Sequence, residues 1–339
     1  MRRLRVLVLM DEAFVPPESI EGVSDEEMLE WKTEYDVLTT LQEMGHDAKP
    51  LGVSDDLGVI RDALLSWKPN ITFNLLEEFH GVPVFDAHVV SYLELMKQPY
   101  TGCNPRGLML AHDKALSKKI LAYHRIPTPK FIVYPRGRRV HKPARLKFPL
   151  LVKSVIEEAS LGISDRSLVE NEKQLKDRVE YVHNEINTDA LVEEYIKGRE
   201  FYVGVLGNQR LQTLPVWELV FKNLPPDMPN IATAKVKWDF ETQKKLGIET
   251  HQARDLEPVE VASIGRLCKR IYRALSLSGY ARMDLRRTET GQVYVLEANP
   301  NPNLSYGEDF AESAHAAGIP YDRLLQRILN LGLRYKGYV

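Results

Sequence analysis

Residues Gly279–Ser305, GYARMDLRRTETGQVYVLEANPNPNLS, decide how the rest of the chain is read. The stretch reads as a β-hairpin. Tyr280–Arg286 and Gln292–Ala298 are rich in strand formers, and Thr288–Gly291 is a turn ending in glycine. Alternation along a strand puts residues i and i+2 on one face. Arg282 and Asp284 therefore share a face, and so do Glu297 and Asn299. If the strands pair with those faces together, two carboxylates and an amide oxygen converge beside one guanidinium. Hard oxygen donors of this kind suit Mg²⁺ better than Zn²⁺, and so few of them leave room for water and phosphate on the ion. The alternative is a solvated hairpin with ordinary charges. Against it stand the apolar residues Met283, Leu285, Val295 and Leu296 between the charges, and the rigid exit Asn299-Pro-Asn-Pro-Asn303.

On the N-terminal side of the hairpin, Glu257–Leu277 has helical apolar spacing, and Asn223–Gln252 reads as a Pro-rich polar loop carrying Lys235, Lys237, Lys244 and Lys245. Leu214–Val220 and Phe201–Leu206 read as strands. Phe148–Lys153 is an apolar strand ending in a lysine, followed by a helix over about Asn171–His183. A lysine closing an apolar strand is costly unless its ammonium meets anions. Lys114 has a different setting, opening a helix with Asp113 as N-cap. Each lysine alone fits a structural ion pair or a snorkelling side chain. Together with the Arg/Asp/Glu/Asn hairpin they supply cations for phosphate oxygens and carboxylates for Mg²⁺, the equipment of phosphoryl transfer. No GxxxxGK[ST], HRD or DFG pattern is present, which excludes a P-loop enzyme and a protein kinase.

The N-terminal third alternates strand and helix. Arg5–Met10 is a continuous apolar run, Glu26–Met44 a helix stopped at Gly45, Ala48–Val53 a strand, Asp55–Trp67 a helix, Ile71–Leu75 a strand and Asp86–Met96 a helix. This implies an open parallel α/β sheet. No G-x-G-x-x-G follows the first strand, so a dinucleotide site is not expected. After the hairpin, Ala311–Leu333 is helical with a break at Gly318-Ile-Pro320.

With 339 residues there is room for two or three domains. A net charge of −2 provides no global field for nucleic acid. One loop, Arg136–Lys147, is strongly basic but lacks interleaved aromatics and reads as solvated. Cys103 and Cys268 have no metal or redox spacing and fit a reducing cytoplasm. The apolar run Val6–Met10 is too short for a signal peptide or a membrane span.

The order of motifs resembles the ATP-grasp superfamily, and within it the D-alanine–D-alanine ligase group. The resemblance runs from about Pro99 to Leu329. It is carried by YTGCNPRGLMLAHDKALSKKILAYHRIPTP from Tyr100, FPLLVKSVIEEASLGI from Phe148, LVEEYIKGREFYVGVLG from Leu191, and the hairpin. It implies an α/β protein with a pre-ATP-grasp domain at 1–110, a small lid subdomain at 111–190 and a large subdomain at 191–339. It also implies roles by position. Lys114 and Lys153 would hold ATP phosphates. Glu193–Ile196 would read adenine, with main-chain groups of Glu194 and Ile196 taking part, and Glu200 would bond the ribose. Asp284, Glu297 and Asn299 would bind two Mg²⁺, with Mn²⁺ a substitute, and Arg282 would stabilise the acyl-phosphate and the tetrahedral intermediate. Lys235, or Lys237 beside it, would reach the γ-phosphate from a mobile loop. Glu157–Gly162 would be a flap with Ser160 touching oxygen.

The implied activity is an ATP-dependent carboxylate–amine ligation in the cytoplasm, with small-molecule substrates, no nucleic-acid or membrane partner, and a homodimer as a compatible assembly. Alternatives are a true D-alanine–D-alanine ligase and a degenerate nucleotide-binding module. The chain departs from the family pattern around the substrates. The family's Gly-rich Ser/Glu turn after the first strand, whose glutamate holds the first D-alanine's ammonium, is absent; Ala159 replaces the first flap serine; and the serine that receives the second substrate's carboxylate falls at Glu308.

Overall fold

The computed structural model describes residues 3–17, 19–20, 22–141, 143–156, 164–225, 228, 230–231, 233, 236 and 239–337; for residues 25, 26, 165 and 240 it describes the backbone alone. The first sheet is three-stranded and parallel, in the order β2-β1-β3, with β1 at Arg5–Asp11, β2 at Asp47–Val53 and β3 at Ile71–Asn74. Val6–Met10 is buried throughout, as a central strand covered on both faces requires. The expected single helix over Glu26–Met44 is two, Asp25–Glu30 and Lys32–Glu43. A capping box of Ser24 and Glu27 starts the first. The backbone leaves the helical region at Trp31 (φ −125°), whose buried indole packs edge-on against Tyr35.

The link out of this sheet is anchored to it. Thr72 N–H donates to Pro99 O (2.8 Å) and Thr101 N–H to Thr72 O (2.9 Å), so Pro99–Thr101 runs along the β3 edge. A helix at Pro105–His112 follows. It is absent from the sequence expectations, although Asn104-Pro105 is an N-cap and N1 signature. Asp113 then caps Lys114–Tyr123, its Oδ1 accepting from Leu116 N–H, as expected.

A four-stranded antiparallel sheet comes next, in the order β4-β7-β5-β6: β4 Phe131–Tyr134, β5 Leu150–Ser154, β6 Leu168–Val169 and β7 Ala190–Glu194. Its small core packs Leu150, Val152, Val169 and Val192 against Leu175 and Val179 of the helix Glu172–Tyr181. A division of the chain at 190/191 would cut β7.

The large sheet has six strands: β8 Arg199–Leu206, β9 Gln212–Thr213, β10 Trp217–Phe221, β11 Ile248–Gln252, β12 Tyr280–Arg287 and β13 Val293–Pro300. Its main path is β11-β10-β8-β12-β13, and β9 pairs with β8. The stretch read as a loop, Asn223–Gln252, holds a helix at Phe240–Leu246 and the strand β11. Asp239 caps that helix, and Gly247 (φ +58°) reverses the chain into β11. One face of the large sheet buries Phe201, Val203, Val205, Ala281, Met283, Leu285 and Val295 with Ile264, Cys268, Ile271 and Tyr272 of the helix Pro258–Ala274. The C-terminal helices Asp309–Ala316 and Tyr321–Arg334 bury Phe310, Leu325 and Ile328 with Val6, Val8, Met10 and Phe73, joining the first and last parts of the chain.

Candidate active site

Register decides which side chains share the face opposite the core. On β12, Arg282 lies between Gly204 of β8 and Asn299 of β13, Asp284 between Tyr202 and Glu297, and Arg286 between Glu200 and Tyr294. Alternation puts Arg282, Asp284 and Arg286 on one face. The pairing of Asp284 with Glu297 agrees with the expectation from sequence; the irregularity beside it does not follow from alternation. Asp284 faces Glu297 while Leu285 faces Val295, so Leu296 is an extra residue in β13. A bulge of this kind resets alternation. It sends Val295 into the core and leaves Glu297 with Asp284; in a regular strand residues 295 and 297 would share a face.

The charges on this face are tied to one another. Arg282 donates from Nε to Asp284 Oδ1 (2.8 Å) and from Nη2 to Asp284 Oδ2 (3.0 Å), and its guanidinium lies 4.7 Å from the Tyr202 ring centre. Burial would pull the guanidinium down, but Asp284 more than offsets it and holds Arg282 above its ordinary value. Glu200 pairs with Arg286 and accepts from Tyr202 Oη (3.0 Å). Arg286 also donates to Asn230 O (2.8 Å). The Asn299 amide nitrogen is buried without a hydrogen-bond partner among the described residues.

A second charge group lies next to the hairpin, where Lys118 reaches the Leu296 carbonyl. Glu193 of β7, 1% exposed, lies between Lys118 (2.8 Å from Oε2) and Lys153 (2.8 Å from Oε1). Burial alone would raise the Glu193 carboxyl, but the two ammonium groups hold it below its usual range. Burial lowers Lys118 overall. It also opposes the charge on Lys153, yet Glu193 and then Glu297 outweigh it and raise that lysine. Lys118 is not among the residues the sequence singles out. The available signal is its position one helical turn after Lys114, a spacing that puts both on one helix face. Its ammonium also donates to Leu296 O (3.0 Å), the carbonyl of the bulged residue. Val295 N–H donates to Pro127 O (2.9 Å), so the outer edge of β13 is covered on both sides of the bulge.

The chain carrying these groups matches a known family. The family model described as D-ala D-ala ligase C-terminus matches residues 120–330. The chain belongs to the D-alanine–D-alanine ligase family. It is an ATP-grasp ligase by membership. It is 34% identical to an uncharacterised protein of Sinorhizobium fredii (strain NBRC 101917 / NGR234) over 88% of this chain and 86% of that one. It is 30% identical to a D-alanine–D-alanine ligase of Desulforudis audaxviator (strain MP104C), over 91% of this chain and 95% of the other. Its fold is similar to the crystal structure of D-alanine–D-alanine ligase from Bacillus anthracis complexed with ATP, with a TM-score of 0.76, 25% identity and 98% of each chain covered.

Among the site residues expected from the ligase resemblance, Arg282, Asp284, Glu297 and Asn299 share one sheet face, and Lys153 of the four-stranded sheet pairs with Glu193. Lys114 is buried at its helix start, its N–H donating to Val155 O (3.1 Å). The resemblance assigns Glu193 to the adenine-reading linker; its carboxylate lies between Lys118 and Lys153. Glu194 N–H donates to Lys130 O (2.9 Å). Ser160, Lys235, Lys237 and the flap Glu157–Gly162 lie outside the described residues. Among the described residues no three His, Cys, Asp or Glu side chains cluster as a metal site. The donor set here is two carboxylates and an amide, which fits Mg²⁺ whose remaining ligands are phosphate and water.

A further polar group forms where the helix Lys32–Glu43 meets the segment after the hairpin. Thr33 Oγ1 meets Ser305 Oγ (2.7 Å), and Asp36 Oδ2 accepts from Tyr306 N–H and from Lys32 Nζ (both 2.8 Å). Glu308 occupies the N-cap position of Asp309–Ala316 but makes no capping hydrogen bond, so it is open to other partners. Crowding by the protein and then Asp309 push its carboxyl up, against Lys32 and Arg282. Glu34 is buried nearby, and burial, with help from Glu77, Asp11 and Asp36, pushes its carboxyl up to about 7. No helix among the described residues is long and apolar enough to cross a membrane.

Proposed function

We propose that the enzyme joins a small-molecule carboxylate to an amine through an acyl-phosphate, in the cytoplasm, with ATP as the phosphoryl donor. The observation that carries this reading is that Glu297 pairs with Asp284 across the hairpin, next to the Leu296 carbonyl that accepts from Lys118, itself paired with Glu193 beside Lys153. The substrate carboxylate oxygen bonds to the γ-phosphorus as the bond to the ADP oxygen breaks. The amine nitrogen then bonds to the acyl carbon, the carbon–oxygen bond to phosphate breaks, and the nitrogen loses a proton.

Bound at Asp284, Glu297 and Asn299, two Mg²⁺ or Mn²⁺ ions would supply charge neutralisation for the transferring phosphoryl group. Lys114 and Lys153 would hold phosphate oxygens. The Glu194 carbonyl and the Ile196 N–H would read the adenine edge, and Glu200 the ribose. Arg282, fixed by Asp284, would face the charge that develops on the acyl-phosphate and the tetrahedral intermediate. Lys235 and Ser160 would close over the phosphates and exclude water. The units carrying these groups would be 1–110, 111–194 and 195–339, with the middle division moved because β7 ends at Glu194.

Glu308 and Asp309 make the acceptor site acidic. Like charges repel an α-carboxylate there and favour an amine without one, or with a second cation. A D-alanine acceptor is the second reading, favoured by the curated relatives named D-alanine–D-alanine ligase. A homodimer and the absence of nucleic-acid partners complete the proposal. The test is a phosphate-release screen over acid–amine pairs, with mass spectrometry of any amide. ADP formed only with an acid and an amine together supports ligation. No ADP with any pair would overturn it, and D-alanyl-D-alanine as the main product would select the second reading.

A further inference from the structure

We infer that Lys118 is a positioning residue that neutralises Glu193 and so leaves Lys153 free to act on nucleotide phosphate. The inference rests on the proposed role of Lys153.

The geometry gives Lys118 three attachments at once. It is rooted in the helix Lys114–Tyr123, it pairs with Glu193 of β7, and it donates to the bulge carbonyl of Leu296 next to Glu297. At 2% exposure it is among the largest fully buried side chains of the described residues. An ammonium so buried is retained only when anions and acceptors surround it.

The charge inventory explains why two lysines are needed. Glu193 lies 2.8 Å from each ammonium, and Glu297 follows Leu296, whose carbonyl Lys118 bonds, its charge favouring both ammonium groups. Two cations and two anions balance. A cation bound at Glu297 takes that carboxylate out of the balance. Glu193 is then shared by Lys118 and Lys153, leaving one net positive charge for phosphate. Without Lys118, Glu193 pairs with Lys153 alone and cancels it. Lys118 thus acts through Glu193 and needs no contact with phosphate. Its bond to the Leu296 carbonyl holds that charge in place relative to the hairpin.

A purely structural lysine makes a different prediction, and the double variant separates the two. Binding of a non-hydrolysable ATP analogue with Mg²⁺ is measured by calorimetry, alongside thermal melting. Lys118→Met is expected to weaken binding at least ~10-fold, because an uncancelled carboxylate beside Lys153 is worth that much even at high effective dielectric. Lys118→Met with Glu193→Gln is expected to recover most of that loss, since one charge of each sign is gone. Lys118→Arg is expected to bind within about threefold of wild type, the charge being kept. A double variant that binds no better than Lys118→Met would overturn the inference. If Lys118→Met fails to fold, the double variant against wild type decides, a tenfold loss overturning it. Lys153→Met distinguishes the underlying reading: analogue binding as tight as wild type would mean that Lys153 does not grip phosphate, whereas weakened binding without rescue in the double variant removes the role of Lys118 alone.

Discussion

Arg282 and Asp284, two residues apart on one strand, hold each other through two hydrogen bonds, from Nε to Oδ1 at 2.8 Å and from Nη2 to Oδ2 at 3.0 Å. The pair fixes the guanidinium against the Tyr202 ring. Glu297 reaches the same face from the other strand of the hairpin, opposite Asp284.

Glu297→Gln keeps the shape and removes the charge. Loss of ATP turnover by at least ~100-fold is expected, since even groups that merely support a metal ligand are worth about 10- to 100-fold. Asp284→Asn should be milder in turnover. ADP release by Glu297→Gln at the wild-type rate, measured with a coupled assay, would remove Glu297 from the metal site.

Glu200 pairs with Arg286 and is proposed to bond the ribose, and substitutions can separate the two. Glu200→Gln retains a hydrogen-bonding side chain and should raise KM for ATP several-fold with little change in kcat. Glu200→Ala additionally strands Arg286, which is 4% exposed. Leaving a buried charge without its partner costs about 3–5 kcal/mol, so this variant should also melt at clearly lower temperature. ATP should be used in preference to GTP. Equal use of the two nucleotides would contradict main-chain reading of adenine at Glu194 and Ile196.

Glu308 should set the acceptor. Opposite charges at ~4 Å are worth about 4 kcal/mol at an effective dielectric of about 20, before desolvation is subtracted. Diamines are therefore expected to outcompete D-alanine in the wild type, and Glu308→Ser to shift the ratio toward D-alanine. Acceptor profiles of the two proteins measured side by side check this. Identical profiles would leave Glu308 without a part in selection.

Glu34 gives a pH signature. Its folded-state value of about 7 lies above that of an unfolded glutamate. The raised value means that folding is favoured while the carboxyl stays protonated. That contribution is fully present below the unfolded value, near 4.5, and is lost as pH rises through about 7. Glu34→Gln should thus be nearly neutral around pH 5 and stabilising by up to ~3 kcal/mol at about pH 8. Melting curves of both proteins across that range test it, and a difference that does not grow with pH would contradict the burial of this carboxyl.

The sequence by itself determined the hairpin, its turn, and the sharing of one face by Arg282 with Asp284 and by Glu297 with Asn299, because strand alternation is a local property. It also determined Asp113 as a cap and the buried first strand, for the same reason. Tertiary structure alone decided the rest. The bulge at Leu296 depends on a core that accepts Val295 while the opposite face keeps Glu297, and neighbouring apolar residues in a sequence do not reveal which one turns inward. At Trp31, where the helix breaks, the indole is buried edge-on against Tyr35. The helix Phe240–Leu246 and strand β11 were hidden in a polar stretch, since β11 is defined by pairing with β10 rather than by its own apolar pattern. The pairing of Glu193 with Lys118 and Lys153 joins residues from a helix and two strands. Charges that far apart in sequence meet only when the sheets close around them, and burial then decides which carboxylate is free to read a ligand and which is bound by lysine.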